Sequence, residues 1–381
     1  MQDLSNCLIF TYEVTIRHRQ HDLGQSLWLD NITRGLLTSG TLGRYIGELS
    51  VTGLTSNPTI FDQAIGNAGY YDAAILQRAR AGKSGEALFF FELALEDLTR
   101  AADLFRPVHA ATGGADGWVS LEVSPLLADD TAGTIKAVAQ LYAQAQRPNI
   151  FIKIPGTCAG MGAIEETIFA DIPVNVTLLF SRKHYVAAAE AYMRGIERRL
   201  AAGLDPAVGS VTSIFVSRWD VAIKEKVPAA LRNRLGIAIA KRIYKAYCEL
   251  LKSKRWQTLA AAGARPQRLL WASTGTKDPD APDTLYIEAL AAPDTINTMP
   301  EKTLLAFAEH GQMHSALPTD GGDAEAMLAE FAHADVDYGA LAAQLQREGA
   351  QSFAESWNDL IERIASKSAA LTQSQSGGAA P

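Results

Sequence analysis

The chain of 381 residues is long enough for two average domains or for one large α/β barrel with insertions. Its 48% hydrophobic and 20% charged residues suit a globular protein with a substantial core, and a formal net charge of −7 argues against the basic face that a general nucleic-acid binder needs. The three cysteines, Cys7, Cys158 and Cys248, form no CxxC pair and suggest no disulfide framework, and no apolar run reaches the length of a membrane span. The expectation is a cytoplasmic protein with neither a nucleic-acid nor a membrane partner.

Residues 1–23 come first. Their mildly apolar stretch at 7–14 lacks a basic leader and a small-residue cleavage site, so they are read as an extension with no assigned fold. From there, short β-branched apolar runs alternate with longer segments of helical periodicity. The runs at 26–32, 51–57, 117–124, 149–155, 172–180, 209–217, 267–274 and 295–300 predict strands. Apolar residues at helical spacing predict helices at 88–104, 134–144, 185–200 and 236–251, and the long interval 58–116 must hold more than one helix. Strands alternating with helices imply parallel pairing. The count favours an α/β fold, a (β/α)₈ TIM barrel with additional helices over 24–365, with an open doubly wound sheet as the alternative. Near the end, Phe353, Trp357, Leu360, Ile361 and Ile364 form one helical stripe expected to dock on the barrel. Residues 366–381 are small, polar and Gly/Pro-containing, and a disordered tail is expected there.

Alternation within the strands separates two faces. In Ile150-Phe151-Ile152-Lys153-Ile154 the isoleucines share one face and Lys153 takes the other. In Val174-Asn175-Val176-Thr177-Leu178, Asn175 and Thr177 lie opposite the two valines and the leucine. In Trp118-Val119-Ser120-Leu121-Glu122-Val123, one face is apolar and the other ends in a carboxylate. Apolar faces pack under helices, so the polar sets point into the barrel, and residues late in strands reach its carboxyl-terminal mouth. Asp30, Asn57, Glu122, Lys153, Asn175, Thr177 and Ser213 all fall there.

Lys153 is expensive to bury charged, and a desolvated neutral amine is the nucleophile that attacks a carbonyl to form an imine. The plainer reading is a lysine snorkelling to the rim. Two inward carboxylates, Asp30 and Glu122, tip the balance. Carbinolamine dehydration and carbon–carbon cleavage each need a proton carrier, whereas a structural ion pair would need only one partner. Asn57-Pro58 closes the second strand, and Pro58 suits a helix start that leaves Asn57 at the mouth. Ser213 and Arg218, at and beyond the sixth strand, make a plausible phosphate grip. Ser273-Thr274-Gly275-Thr276-Lys277 adds hydroxyls and a cation after the seventh, where many barrels bind phosphate. Two lookalikes fail. Gly82-Lys83-Ser84 lacks the first glycine of a P-loop, and His310 is followed by Gly311 where a zinc protease would carry glutamate before the second histidine, here His314. No metal is expected.

These residues resemble a known family. Leu27-Trp28-Leu29-Asp30, Gly53-Leu54-Thr55-Ser56-Asn57-Pro58-Thr59, Ser120-Leu121-Glu122-Val123, Phe151-Ile152-Lys153-Ile154-Pro155, Val174-Asn175-Val176-Thr177-Leu178-Leu179-Phe180-Ser181 and Thr212-Ser213-Ile214-Phe215-Val216-Ser217-Arg218 are similar, in sequence and order, to transaldolases, most of all the longer bacterial branch. The likeness runs over 24–364. It implies a cofactor-free barrel enzyme of the pentose phosphate pathway. Such an enzyme passes a dihydroxyacetone unit from sedoheptulose 7-phosphate or fructose 6-phosphate to glyceraldehyde 3-phosphate or erythrose 4-phosphate.

By the same resemblance, Lys153 matches the Schiff-base lysine and Asp30 the acid/base of cleavage. Glu122 matches an acid/base acting through a water that Thr177 helps hold. Asn57 and Asn175 match ligands of substrate hydroxyls, and Ser213 and Arg218 match phosphate ligands. The family's second phosphate arginine has no counterpart after the seventh strand, which leaves Lys277 as its candidate substitute. Two rival expectations stand: a Schiff-base aldolase that releases free dihydroxyacetone, and a catalytically silent barrel used for binding. Both a monomer and a homodimer are compatible with the sequence.

Overall fold

A computed structural model describes residues 23–67, 69–81, 86–312 and 315–376. The extension at 1–22, the P-loop lookalike Gly82-Lys83-Ser84 and His314 lie outside the described residues.

Each anticipated strand is present: β1 (Ser26–Leu29), β2 (Val51–Leu54), β3 (Val119–Glu122), β4 (Ile150–Pro155), β5 (Val174–Leu179), β6 (Ser210–Phe215), β7 (Arg268–Ala272) and β8 (Ile296–Met299). All pair in parallel with their sequence neighbours, and β8 closes on β1 from Ser26↔Ile296 to Leu29↔Met299. The doubly wound alternative is thereby set aside. Most strands are shorter than their apolar runs. Asp30 and Asn57 consequently sit just past β1 and β2 instead of inside them, where backbone leaves the ladder for the first helical turns.

The helices outrun their periodic cores. The segment expected at 88–104 is Glu86–Ala111, and that expected at 185–200 is Arg182–Ala201. The interval after β2 holds the helices Pro58–Asn67 and Asp72–Arg80 as well. Hydroxyl and carboxylate caps mark several starts: Asp130, Thr157 and Ser181 each accept a hydrogen bond from a backbone N–H of the first turn.

The barrel interior is layered. Towards its amino-terminal end, Trp28 and Phe151 stack at 6.2 Å between ring centroids and Phe151 and Trp118 at 4.1 Å. Gly53 is required here, since a Cβ would lie 2.4 Å from the Trp28 indole. The indole Nε1 donates to Asp116 Oδ1 at 2.7 Å, which satisfies the one polar atom of a fully buried ring. Lys153 lies two residues beyond Phe151 on the same face. The polar layer therefore rests on an aromatic floor.

The C-terminal helix Tyr338–Ser376 crosses this body and corrects the tail boundary. The stripe docks as anticipated: Phe353, Trp357, Leu360 and Ile364 are buried, with Trp357 edge-on to Phe90 at 5.1 Å. Residues 366–376 continue the helix instead of forming a disordered tail. They contain alanine, leucine, lysine and glutamine and no glycine or proline before Gly377. Lys367 Nζ ties this stretch down, donating to Ile65 O at 2.9 Å and pairing with Asp72 at 2.7 Å.

Candidate active site

Strand register assembles the centre of the site. Glu122 is aligned with Lys153 across β3–β4, and Lys153 with Asn175 across β4–β5. All three side chains are buried inside the barrel, Lys153 being 5% exposed. Lys153 Nζ donates to Ser56 O at 3.1 Å and stands 3.4 Å from Glu122 Oε2. Burial pushes the Glu122 carboxyl above its usual range, with the Lys153 charge opposing. Among the described residues, neither Glu122 oxygen has a hydrogen-bond partner, nor has the buried Thr177 Oγ1. Unsatisfied polar atoms inside a barrel are costly to folding.

Asn175 is fixed on both sides. Its Nδ2 donates to Ser120 Oγ at 3.1 Å, and its Oδ1 accepts from Ser213 Oγ at 2.7 Å. Ser213 lines the cavity above Lys153, but its hydroxyl proton is committed to Asn175. Asn57 is held differently. Its Oδ1 accepts from Ile60 N at 3.0 Å as the cap of helix Pro58–Asn67, so only its amide N–H groups are left to donate.

A cavity of about 120 Å³ joins these groups, lined by Asp30, Asn57, Lys153, Ser213, Arg218 and Lys277 among others. Glu122, Asn175 and Thr177 are not in its lining; Glu122 is 3.4 Å from the lining Lys153, and Asn175 is hydrogen-bonded to the lining Ser213. Thr177 sits two residues beyond Asn175, paired in register with Pro155. A groove of about 620 Å³ between Arg182, Arg242 and Tyr338 is larger but contains none of these residues, so volume does not locate the chemistry.

Several lining residues escaped sequence reasoning. Thr55 donates to Asp30 Oδ1 at 2.7 Å and lies 2.7 Å from the Thr298 hydroxyl. Ser56 matters through its carbonyl, which no pattern reveals. Phe215 and Phe353 flank the Arg218 guanidinium at 5.2 and 5.7 Å. Desolvation lowers the Arg218 pKa, and among the described residues no carboxylate pairs with it. A desolvated, unpaired guanidinium at a cavity wall is poised for an anion.

Beyond β7, Ser273 lines the cavity with a left-handed φ of 55° and shares a 2.9 Å hydrogen bond with Ser217. Thr274 is turned inward to Asn297 and Thr298 as a structural group, while Lys277 is exposed at the rim. Among the described residues, no three His, Cys, Asp or Glu side chains converge to hold a metal ion. His310 instead lies 2.9 Å from Asp283.

Fold and site together define a barrel enzyme with a lysine–carboxylate centre at the carboxyl ends of its strands. Residues 27–364 match the family model described as Transaldolase/Fructose-6-phosphate aldolase. The chain is 45% identical over 349 residues to "Transaldolase" of Arthrobacter sp. (strain FB24), covering 89% of this chain and 94% of that one. It is 44% identical over 357 residues to "Transaldolase 1" of Streptomyces avermitilis, covering 91% and 94%, and 43% identical over 360 residues to "Transaldolase" of Thermobifida fusca, covering 92% and 98%. The chain belongs to the transaldolase/fructose-6-phosphate aldolase family, and the enzyme is a transferase of the transaldolase class. The resemblance drawn from the sequence segments is thus borne out. No helix among the described residues is long and apolar enough to cross a membrane.

Proposed function

We propose that the enzyme transfers a dihydroxyacetone unit from fructose 6-phosphate or sedoheptulose 7-phosphate to erythrose 4-phosphate or glyceraldehyde 3-phosphate through a Schiff base on Lys153. One observation carries this reading: the buried Lys153 amine lies 3.4 Å from a Glu122 carboxyl held towards its protonated form, in a cavity shared with Asp30 and Arg218.

The Lys153 amine attacks the C2 ketone. Glu122 supplies a proton to the departing hydroxyl, and water leaves as the iminium forms. Its raised pKa suits it as the donor. The orphaned Thr177 hydroxyl supports a relay in which Thr177 helps hold a water between Glu122 and the reacting oxygen. Asp30, steadied by Thr55, takes the C4 hydroxyl proton. The C3–C4 bond breaks, its electron pair enters the iminium, and the aldose phosphate departs. The enamine left on Lys153 then attacks the acceptor aldehyde, Asp30 returns the proton, and water hydrolyses the iminium.

Asn175 and the Asn57 amide bind the hydroxyls of the three-carbon unit. Arg218 and Lys277 meet the phosphate, and the Ser213 hydroxyl must turn from Asn175 to join them. Such an enzyme works in the cytoplasm, where Cys158 and Cys248 stay reduced.

Coupled assays with fructose 6-phosphate, with and without erythrose 4-phosphate, test the reading. Turnover that requires the acceptor is expected. Steady release of free dihydroxyacetone without it would make the enzyme an aldolase, and no turnover in either case would make the barrel a binding protein.

A further inference from the structure

The C-terminal helix reaches the mouth of the barrel at one polar side chain. Gln346 Nε2 donates to Gly156 O and to Leu178 O, each at 2.9 Å. Gly156 is the first residue after β4, the strand of Lys153, and Leu178 is in β5, next to Thr177. More than 160 residues of sequence separate donor and acceptors.

The β5 acceptor is unusual. Leu178 has φ 59°, a left-handed conformation adverse to a side chain with a Cβ, and it is buried inside a strand. The β5–β6 register shifts between Val176 and Leu179, so the ladder is interrupted at this point. The Leu178 carbonyl is thereby turned towards the helix, where the Gln346 amide satisfies it. On the other side, Gly156 N donates to Thr177 O at 2.7 Å. One carboxamide therefore ties together the two strand ends that set where Lys153 and Thr177 point.

The same helical face continues the contact. A Cβ on Gly349 would lie 3.0 Å from Leu178 Cδ2 and 3.3 Å from Arg218 Nη1, and Phe353 flanks that guanidinium. Gln346, Gly349 and Phe353 recur at helical spacing, which puts β4, β5 and the Arg218 cation under one stripe.

We propose that Gln346 is a positioning residue for the reaction: it holds the bulged end of β5 against the end of β4, and so aims the Thr177 hydroxyl and the Lys153 amine at a common point. This rests on the Lys153 reading above. Misplacement of reacting groups by about 1 Å costs on the order of 10²-fold in rate. Gln346→Met keeps the side-chain length and helix propensity but removes both donors. We expect about a 10- to 100-fold lower kcat with a smaller change in KM, and a parallel fall in the rate at which borohydride traps the ketose adduct. Gln346→Lys returns a long donor and should recover part of both rates.

A purely structural role would lower the melting temperature and leave kcat per folded enzyme unchanged. Wild-type trapping kinetics in the full-length enzyme, beside Gln346→Met and Gln346→Lys, decide the matter. A wild-type adduct that forms at the same rate in Gln346→Met overturns the positioning role, as does equal impairment of both variants. Absence of any lysine adduct in the wild type overturns the Schiff-base reading instead. If Gln346→Met does not fold, Gln346→Glu takes its place, keeping the shape and removing both donors: trapping per folded enzyme that stays at the wild-type rate contradicts the clamp.

Discussion

The β3–β5 wall and the segments after β6 and β7 hold their polar groups in opposite ways. In the wall, Glu122, Lys153 and Asn175 sit in direct register on adjacent strands, buried and locked by the ladder. Beyond β6 and β7, Arg218 rests between aromatic rings and Lys277 stands exposed on a loop. Bond-making chemistry needs groups placed to within a fraction of an ångström, which strands provide. Phosphate recognition is a longer-range charge interaction, which one desolvated guanidinium and an exposed ammonium can supply.

By that division, damage to the wall should appear in the chemical steps and damage to the segments after β6 and β7 in binding. The largest effect is expected at Lys153, where Lys153→Met should abolish both turnover and the borohydride-trapped substrate adduct. Next come the carboxylates. Asp30→Asn should leave imine formation intact and slow carbon–carbon cleavage by roughly 10²–10⁴-fold, whereas Glu122→Gln should slow imine formation itself. Rapid-mix quenching separates the two, and equal defects at both steps in both variants would refute the assignment.

Beyond β6, Arg218→Ala should raise KM for fructose 6-phosphate roughly 10- to 100-fold while changing activity on unphosphorylated ketoses much less. Lys277→Ala should act in the same direction more weakly, since a solvated ammonium is a less directional partner. Equal losses on phosphorylated and unphosphorylated substrates would make Arg218 a packing residue held by Phe215 and Phe353.

The smallest effect on catalysis is expected at Asp220, one turn into the helix after β6. Its carboxyl is buried and accepts from Tyr286 OH at 2.8 Å and Leu235 N at 2.9 Å, yet desolvation pushes its pKa up to about 6. A carboxyl raised in this way binds its proton more tightly folded than unfolded, so stability falls as pH rises from about 4 through about 6 and is flat above. Denaturant melts across that window should show the stability of the wild type falling relative to that of Asp220→Asn, whatever the variant's baseline. A difference between the two that is flat or moves the other way with pH would contradict the burial argument.

The contrast also explains what could be read from the sequence. Lys153, Glu122, Asn175 and Thr177 were legible because period-two alternation fixes which side chains face inward once a strand is assigned. Asp30 and Asn57 were legible as mouth residues although their strands end earlier than their apolar runs. Partnerships were not legible. That Ser213 gives its proton to Asn175, or that Thr55 braces Asp30, depends on closure of the barrel, which no local pattern encodes. The left-handed Ser273 and Leu178 carry no glycine to announce them. Phe353 was read as part of a docking stripe, but its place beside Arg218 depends on a long-range contact. The helix through 366–376 was not legible because the glycines and proline of 377–381 dominate the composition of a window whose first part contains neither.

The most direct test of the account is to incubate the enzyme with fructose 6-phosphate, quench with borohydride and map the modified peptide by mass spectrometry. The account requires a reduced adduct on Lys153, of the whole ketose phosphate at early quench times and of three carbons at later ones, because the aldose phosphate departs from the iminium before reduction. An adduct on another residue, or full activity surviving exhaustive reduction in the presence of substrate, would contradict it.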